Sequence, residues 1–191
     1  MTILNENGLQ LVEKEKEYIA YIEEHVNNVM TAFQSINTKL TNYPNYPIED
    51  AEISFSLTRE TVMENLRIVA ERVHLHDQSK YSDEEFAAYR RKFHPTTEES
   101  TSGEDAEALA IENFNKAWEH HYKNNPHHPG YWTDKEMTLD AIIEMLADWV
   151  AMSIKFHSST RDFWENKAGK ERSLMSPRVI KIVDELLDII L

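Results

Sequence analysis

Apolar residues return every three or four positions from Ile19 through Ile22, Val26, Val29, Phe33 and Ile36 to Leu40, a stripe that only an α-helix gathers on one side. No segment shows the alternation of a half-buried strand, and four glycines among 191 residues supply few of the tight turns that sheets use. An all-α protein is expected, a helical bundle of about six main helices. With 41% hydrophobic and 28% charged residues, the 191-residue chain can bury one core and is short for two, so residues 1–191 read as a single domain.

The first helix is expected over about residues 8 to 40, with His25 on its apolar face between Ile22 and Val29. Pro44 and Pro47 make residues 41–57 a connection. A second helix should begin after Thr58 and bury Val62, Leu66, Val69 and Val73; stepping on by three and four residues brings His76 and Asp77 to the same face. Ser82-Asp83-Glu84-Glu85 has the form of a capping box for a short helix holding Phe86, Tyr89 and Phe93, and residues 94–103 read as a mobile surface loop.

The next helix is expected over about residues 105 to 122, with Ala106, Ala110, Phe114, Ala117 and His121 on one stripe, stopped by Asn124-Asn125-Pro126. His127-His128-Pro129-Gly130-Tyr131-Trp132 then forms a tight aromatic loop. Thr133-Asp134-Lys135-Glu136 reads as a second capping box, opening a helix that buries Met137, Ala141, Met145, Trp149, Met152 and Phe156. Residues 158–175 are polar and irregular, with one helical turn around Phe163-Trp164, and Ser176-Pro177 starts a terminal helix over about 177 to 190.

Composition narrows the chemistry. With no cysteine in the chain, disulfides, thiolate zinc sites and cysteine nucleophiles are excluded, and any metal must be held by nitrogen and oxygen. A net charge of -14 without a Lys/Arg-rich stretch opposes broad nucleic-acid binding. A small phosphorylated molecule or nucleotide stays compatible with that acidity, because a bound divalent cation dominates its local field. The first residues lack the basic and apolar regions of a signal peptide, and no apolar run nears the ~20 residues that span a bilayer, so a cytoplasmic protein without membrane contact is expected.

His25, His76, Asp77 and Asp148 each fall on an inward helical face, which is the layout of a metal site in a bundle core. That nitrogen and oxygen set suits manganese, iron, nickel or zinc better than calcium. Each residue also has a plainer reading: His25 as a core histidine, Lys80 as a surface lysine, and Asp140, Glu144 and Asp148, at four-residue steps, as one solvated acidic stripe.

The ordered set of His25, then His76-Asp77, then Asp148 resembles the HD-domain metallohydrolase superfamily over about residues 18 to 157. His76-Asp77-Gln78-Ser79-Lys80 is also similar to the His-Asp-x-x-Lys of the HD-GYP branch, whose other signature residues are missing here. Together with His120-His121-Tyr122-Lys123-Asn124-Asn125-Pro126-His127-His128 and Glu144-Met145-Leu146-Ala147-Asp148-Trp149, it resembles more closely an HD-like family of bacteria and phages with no established substrate.

The resemblance implies a bundle of the HD type, one or two divalent metals on His25, His76, Asp77 and Asp148, and phosphoester hydrolysis by a metal-activated water. Lys80 could then bind a phosphate oxygen or hold a water. His121, His127 and His128 could complete a second metal position, contact substrate or protonate the leaving oxygen. Two rival expectations stand beside the hydrolase: an HD-like di-iron oxygenase, and a non-catalytic protein that binds a metal or ligand. The long first helix and the terminal helix are compatible with a homodimer.

Overall fold

The structure, a computed structural model, describes residues 6–51 and 55–191. In chain order its elements are α1 (Glu6–Asn42), β1 (Ile48–Asp50), β2 (Phe55–Leu57), α2 (Arg59–Arg72), α3 (Phe86–Phe93), α4 (Thr97–Ser100), α5 (Glu104–Asn124), α6 (Leu139–Lys155), α7 (Thr160–Asp162), α8 (Gly169–Ser173) and α9 (Pro177–Ile190). The protein is all-α, and among the described residues one two-stranded antiparallel sheet pairs Ile48 with Leu57 and Asp50 with Phe55. Phe55 and Leu57 are buried and Ser56 is exposed, an alternation too short to stand out from the sequence. Among the described residues, no helix is long and apolar enough to cross a membrane.

Tertiary contacts group the chain into two compact units, Met1–His25 with Asp77–Asn125 and Val26–His76 with Pro126–Leu191. In the first unit, α1 buries Tyr18, Ile22 and His25, where the periodicity pointed to Ile19 in place of Tyr18. Tyr18 packs on Phe86 with ring centres 5.2 Å apart, and Tyr89 meets Phe114 edge-on at 5.2 Å. Residues 94–103 are not a bare loop. Thr96 and Glu99 form a reciprocal capping box that starts α4, and the Arg90 guanidinium forks onto the Glu99 carboxylate.

The Ser82–Glu85 box does not form: Ser82 Oγ is buried without a hydrogen-bond partner among the described residues, and the Glu85 side chain turns inward. Asn125 ends α5 where Pro126 follows, as the sequence indicated.

The second unit carries the apolar core. Val29, Phe33, Ile36 and Leu40 of α1 contribute to it, as do Val62, Leu66 and Val69 of α2 and Val179, Val183, Leu186 and Leu187 of α9. At its centre, α6 is buried on nearly every side through Ala141, Ile142, Ile143, Met145, Leu146 and Ala147. Thr138 occupies the N-cap position of α6, so the Thr133–Glu136 box is a misreading; Glu136 instead accepts hydrogen bonds from Ser176 at 2.7 Å and Arg178 at 2.6 Å. Phe156, expected inside, is exposed.

Residues 158–175 are more ordered than their polarity suggests, holding α7, a π-helical turn at Phe163–Lys167 and α8. Buried Trp164 anchors them by donating Nε1 to Asp184 Oδ1 at 2.6 Å. α9 begins as read, with Ser176 capping the Val179 N–H and Pro177 in the first turn. Replacing Leu146→Ala, which is fully buried, should lower unfolding free energy by about 2–5 kcal/mol in denaturant titration. A change below 1 kcal/mol, on the order of a surface substitution, would show that α6 is not the centre of this core.

Candidate metal centre

Local backbone geometry places the His-Asp step. α2 ends at Arg72, Val73–Leu75 tightens into a 3₁₀ turn, and His76 at ψ 134° leaves helical space. Asp77 follows with φ 60° in the left-handed region, which aspartate tolerates better than most residues. His76 and Asp77 are therefore buried, as expected, but by this reversal and not by continuation of the α2 stripe. In the division of the chain, His76 closes a segment of the second unit and Asp77 opens one of the first.

In the second unit, His76 Nδ1 lies 3.0 Å from Glu144 Oε1, and His127 Nδ1 lies 3.6 Å from the same oxygen. Their two rings are 4.1 Å apart, and the half-buried His128 ring sits 4.3 Å from that of His127. His76 Nε2 is 4.0 Å from Asp148 Oδ1. Arg72 holds the other Glu144 oxygen through Nε at 3.1 Å. Burial pushes the Glu144 carboxyl up, yet the bonds and charges of His127 and His76 outweigh it and hold the group well below the usual carboxylate range. Ligand atoms of His76, His127 and Glu144 all lie within 4.8 Å of one another, so this set could hold a metal ion.

The first unit holds a polar network around Asp77 and Glu85. His25 Nε2 is 3.2 Å from Asp77 Oδ2, Lys80 Nζ is 2.5 Å from the same oxygen, and His121 Nε2 is 3.2 Å from Asp77 Oδ1. His121 Nδ1 also faces Glu85 Oε2 at 2.9 Å, while His120 Nδ1 takes Glu85 Oε1 at 2.8 Å. Ser79 Oγ lies 3.1 Å from His121 Nδ1 and accepts from Asn125 at 2.8 Å. Burial alone would lower His121, but its hydrogen bonds to Asp77 and Glu85 raise it; Glu85 is pushed up by burial and brought down further by His121 and His120. Two phenols complete the network's wall. Tyr18 and Tyr89 titrate far above the usual tyrosine range because they are desolvated beside the Asp77 and Glu85 charges.

Compared with known protein families, the one described as "Family of unknown function (DUF5662)" matches residues 14–189. The chain belongs to this family. No curated protein matches it, and no solved structure does. The family's matched span includes every side chain of both clusters, so its chemistry has to be read from those side chains.

Of the expected residues, the structure joins His25, Asp77, Lys80 and His121 in the first unit, and His76, His127, His128 and Asp148 around Glu144 in the second. Glu144, Glu85 and Arg72 escaped the sequence reading. Glu144 had a signal, an ionisable residue set among Ile142, Ile143, Met145 and Leu146, but its four-residue spacing from Asp140 and Asp148 imitated a solvated stripe. Glu85 was masked by the capping-box pattern, and Arg72 gave no signal at all.

The first-unit network makes a pH prediction. Glu85 has a depressed folded pKa, so its stabilisation is present at neutral pH and is lost as pH falls through the ordinary carboxylate value and below. His121, raised in the fold, adds stability below the ordinary imidazole value that is lost as pH rises through its folded value. Glu85→Gln should destabilise by about 1–3 kcal/mol at neutral pH, and the gap to wild type should shrink on acidification in thermal melts. A gap that is constant across pH would show that Glu85 is not the ionised partner of these imidazoles.

Proposed function

We propose that the protein is a divalent-metal-dependent phosphohydrolase acting on a small phosphorylated molecule or nucleotide, with His76, His127 and Glu144 as the core of its metal site. The observation that carries the metal site is a buried carboxylate, Glu144, whose oxygen lies with ligand atoms of His76 and His127 within 4.8 Å of one another. The donor set fits: imidazole nitrogen and carboxylate oxygen suit manganese, iron, nickel or zinc. When bound, such an ion would supply an acidified water and neutralise charge on a phosphoryl oxygen.

The chain's own side chains divide the remaining work. Arg72 holds Glu144 in place from the side away from the imidazoles, and His76 spans from Glu144 to Asp148. Half-buried His128, its ring tilted against that of His127, is placed to meet a ligand from solvent. Lys80, bonded to Asp77, contributes a cation to the first-unit network. The likeness of His25, His76-Asp77 and Asp148 to the motif residues of HD-domain hydrolases supports phosphoester hydrolysis as the reaction class.

Metal analysis of untagged protein should find divalent transition metal in stoichiometric amount. Glu144→Ala and His127→Ala should each lower retained metal by at least about 10-fold, and phosphate release from p-nitrophenyl phosphate or nucleoside monophosphates should vanish with chelator. Wild-type metal content in Glu144→Ala would remove Glu144 from the site. Two irons per chain with oxygen uptake, and no phosphate release across the panel, would replace the hydrolase by the di-iron oxygenase.

A further inference from the structure

Arg72 is the last residue of α2, and its guanidinium is shared between two carboxylates one turn apart on α6. Nη1 reaches Asp140 Oδ2 at 2.7 Å, and Nε donates to Glu144 Oε2 at 3.1 Å. The imidazoles of His76 and His127 both approach the opposite oxygen, Oε1. The two oxygens of one carboxylate thus face different partners.

That division bears on metal choice. A carboxylate can give a cation one oxygen or two, and larger, harder ions accept the two-oxygen mode and higher coordination numbers more readily than zinc does. A charge-assisted bond from a planar guanidinium is strong and fixed in direction, and the second bond to Asp140 stops the fork from rotating away. With Oε2 held by the guanidinium, Oε1 is the oxygen that faces the imidazoles, and a cation there would take the place of the proton shared between Oε1 and His76 Nδ1.

We propose that Arg72 is a positioning residue that restricts Glu144 to one-oxygen binding and so biases the site toward low-coordinate ions such as zinc over manganese. This rests on the metal site put forward above. Asp140 belongs to the same device, as the brace that orients Arg72.

The test compares wild type with Arg72→Gln and Arg72→Lys, each stripped of metal and checked for folding by circular dichroism. Zinc and manganese affinities are measured by competition, and the visible spectrum of the cobalt-substituted proteins is recorded. The guanidinium charge acts on both ions alike, so the ratio of affinities reads the geometry of Glu144 and not the charge beside it. In Arg72→Gln the zinc-over-manganese preference should fall by about 10-fold or more, with a weaker cobalt spectrum typical of higher coordination. Arg72→Lys, which keeps the charge and one donor, should recover part of the preference.

An unchanged ratio with an unchanged cobalt spectrum overturns the role of Arg72 while leaving the metal site standing. A folded wild type that takes up neither zinc nor cobalt overturns the site itself. Should Arg72→Gln fail to fold, Asp140→Asn carries the test: the loosened fork should lower the preference by a smaller factor, and an unchanged preference counts against the proposal.

Discussion

An ionised carboxylate inside an otherwise apolar helix is the constraint around which the second unit is arranged. Glu144 is buried between Ile143 and Met145 on the most enclosed helix of the chain. Leaving such a charge without partners costs several kcal/mol, so the fold has to deliver partners to both of its oxygens. The end of α2 supplies Arg72 and the turn after it supplies His76. The segment after α5 supplies His127, on a loop fixed by the bond from Trp132 Nε1 to the Pro126 carbonyl at 2.7 Å.

The two units are held by different physics. In the second, aliphatic side chains of α1, α2, α6 and α9 bury apolar area, an attraction that is non-directional and tolerant of small rearrangement. In the first, His25, Asp77, Glu85, Arg90, His121 and Asn125 are buried polar or charged groups whose stability depends on each bond being made. Glu85 shows the consequence. One carboxylate serves two successive histidines, so a single side chain fixes two rings.

Helix content was legible because its cause is local. The stripe from Ile22 to Leu40, the Thr58 and Ser176 caps and the stop at Pro126 all concern residues within a few positions of one another. The two misread capping boxes share one cause as well. At Ser82–Glu85 and Thr133–Glu136 a capping-box pattern was present, but each glutamate found a stronger partner elsewhere in the fold, the histidines of α5 for Glu85 and Ser176 with Arg178 for Glu136. A local motif predicts a local bond only when no distant donor competes for the same oxygen.

The candidate site divides along the same line. The amino-acid sequence by itself determined that this is an all-α protein without thiolate chemistry, and that His25 and His121 are turned inward, since composition and helical period settle both. The tertiary structure alone decided that Glu144 is a partner of histidines and not part of a solvated stripe with Asp140 and Asp148. It also decided that Arg72 occupies the Glu144 oxygen opposite to the one the imidazoles approach. The reason is physical. A buried charge is matched by whichever groups the fold brings within hydrogen-bond distance, and His76 and Glu144 stand 68 residues apart in the chain.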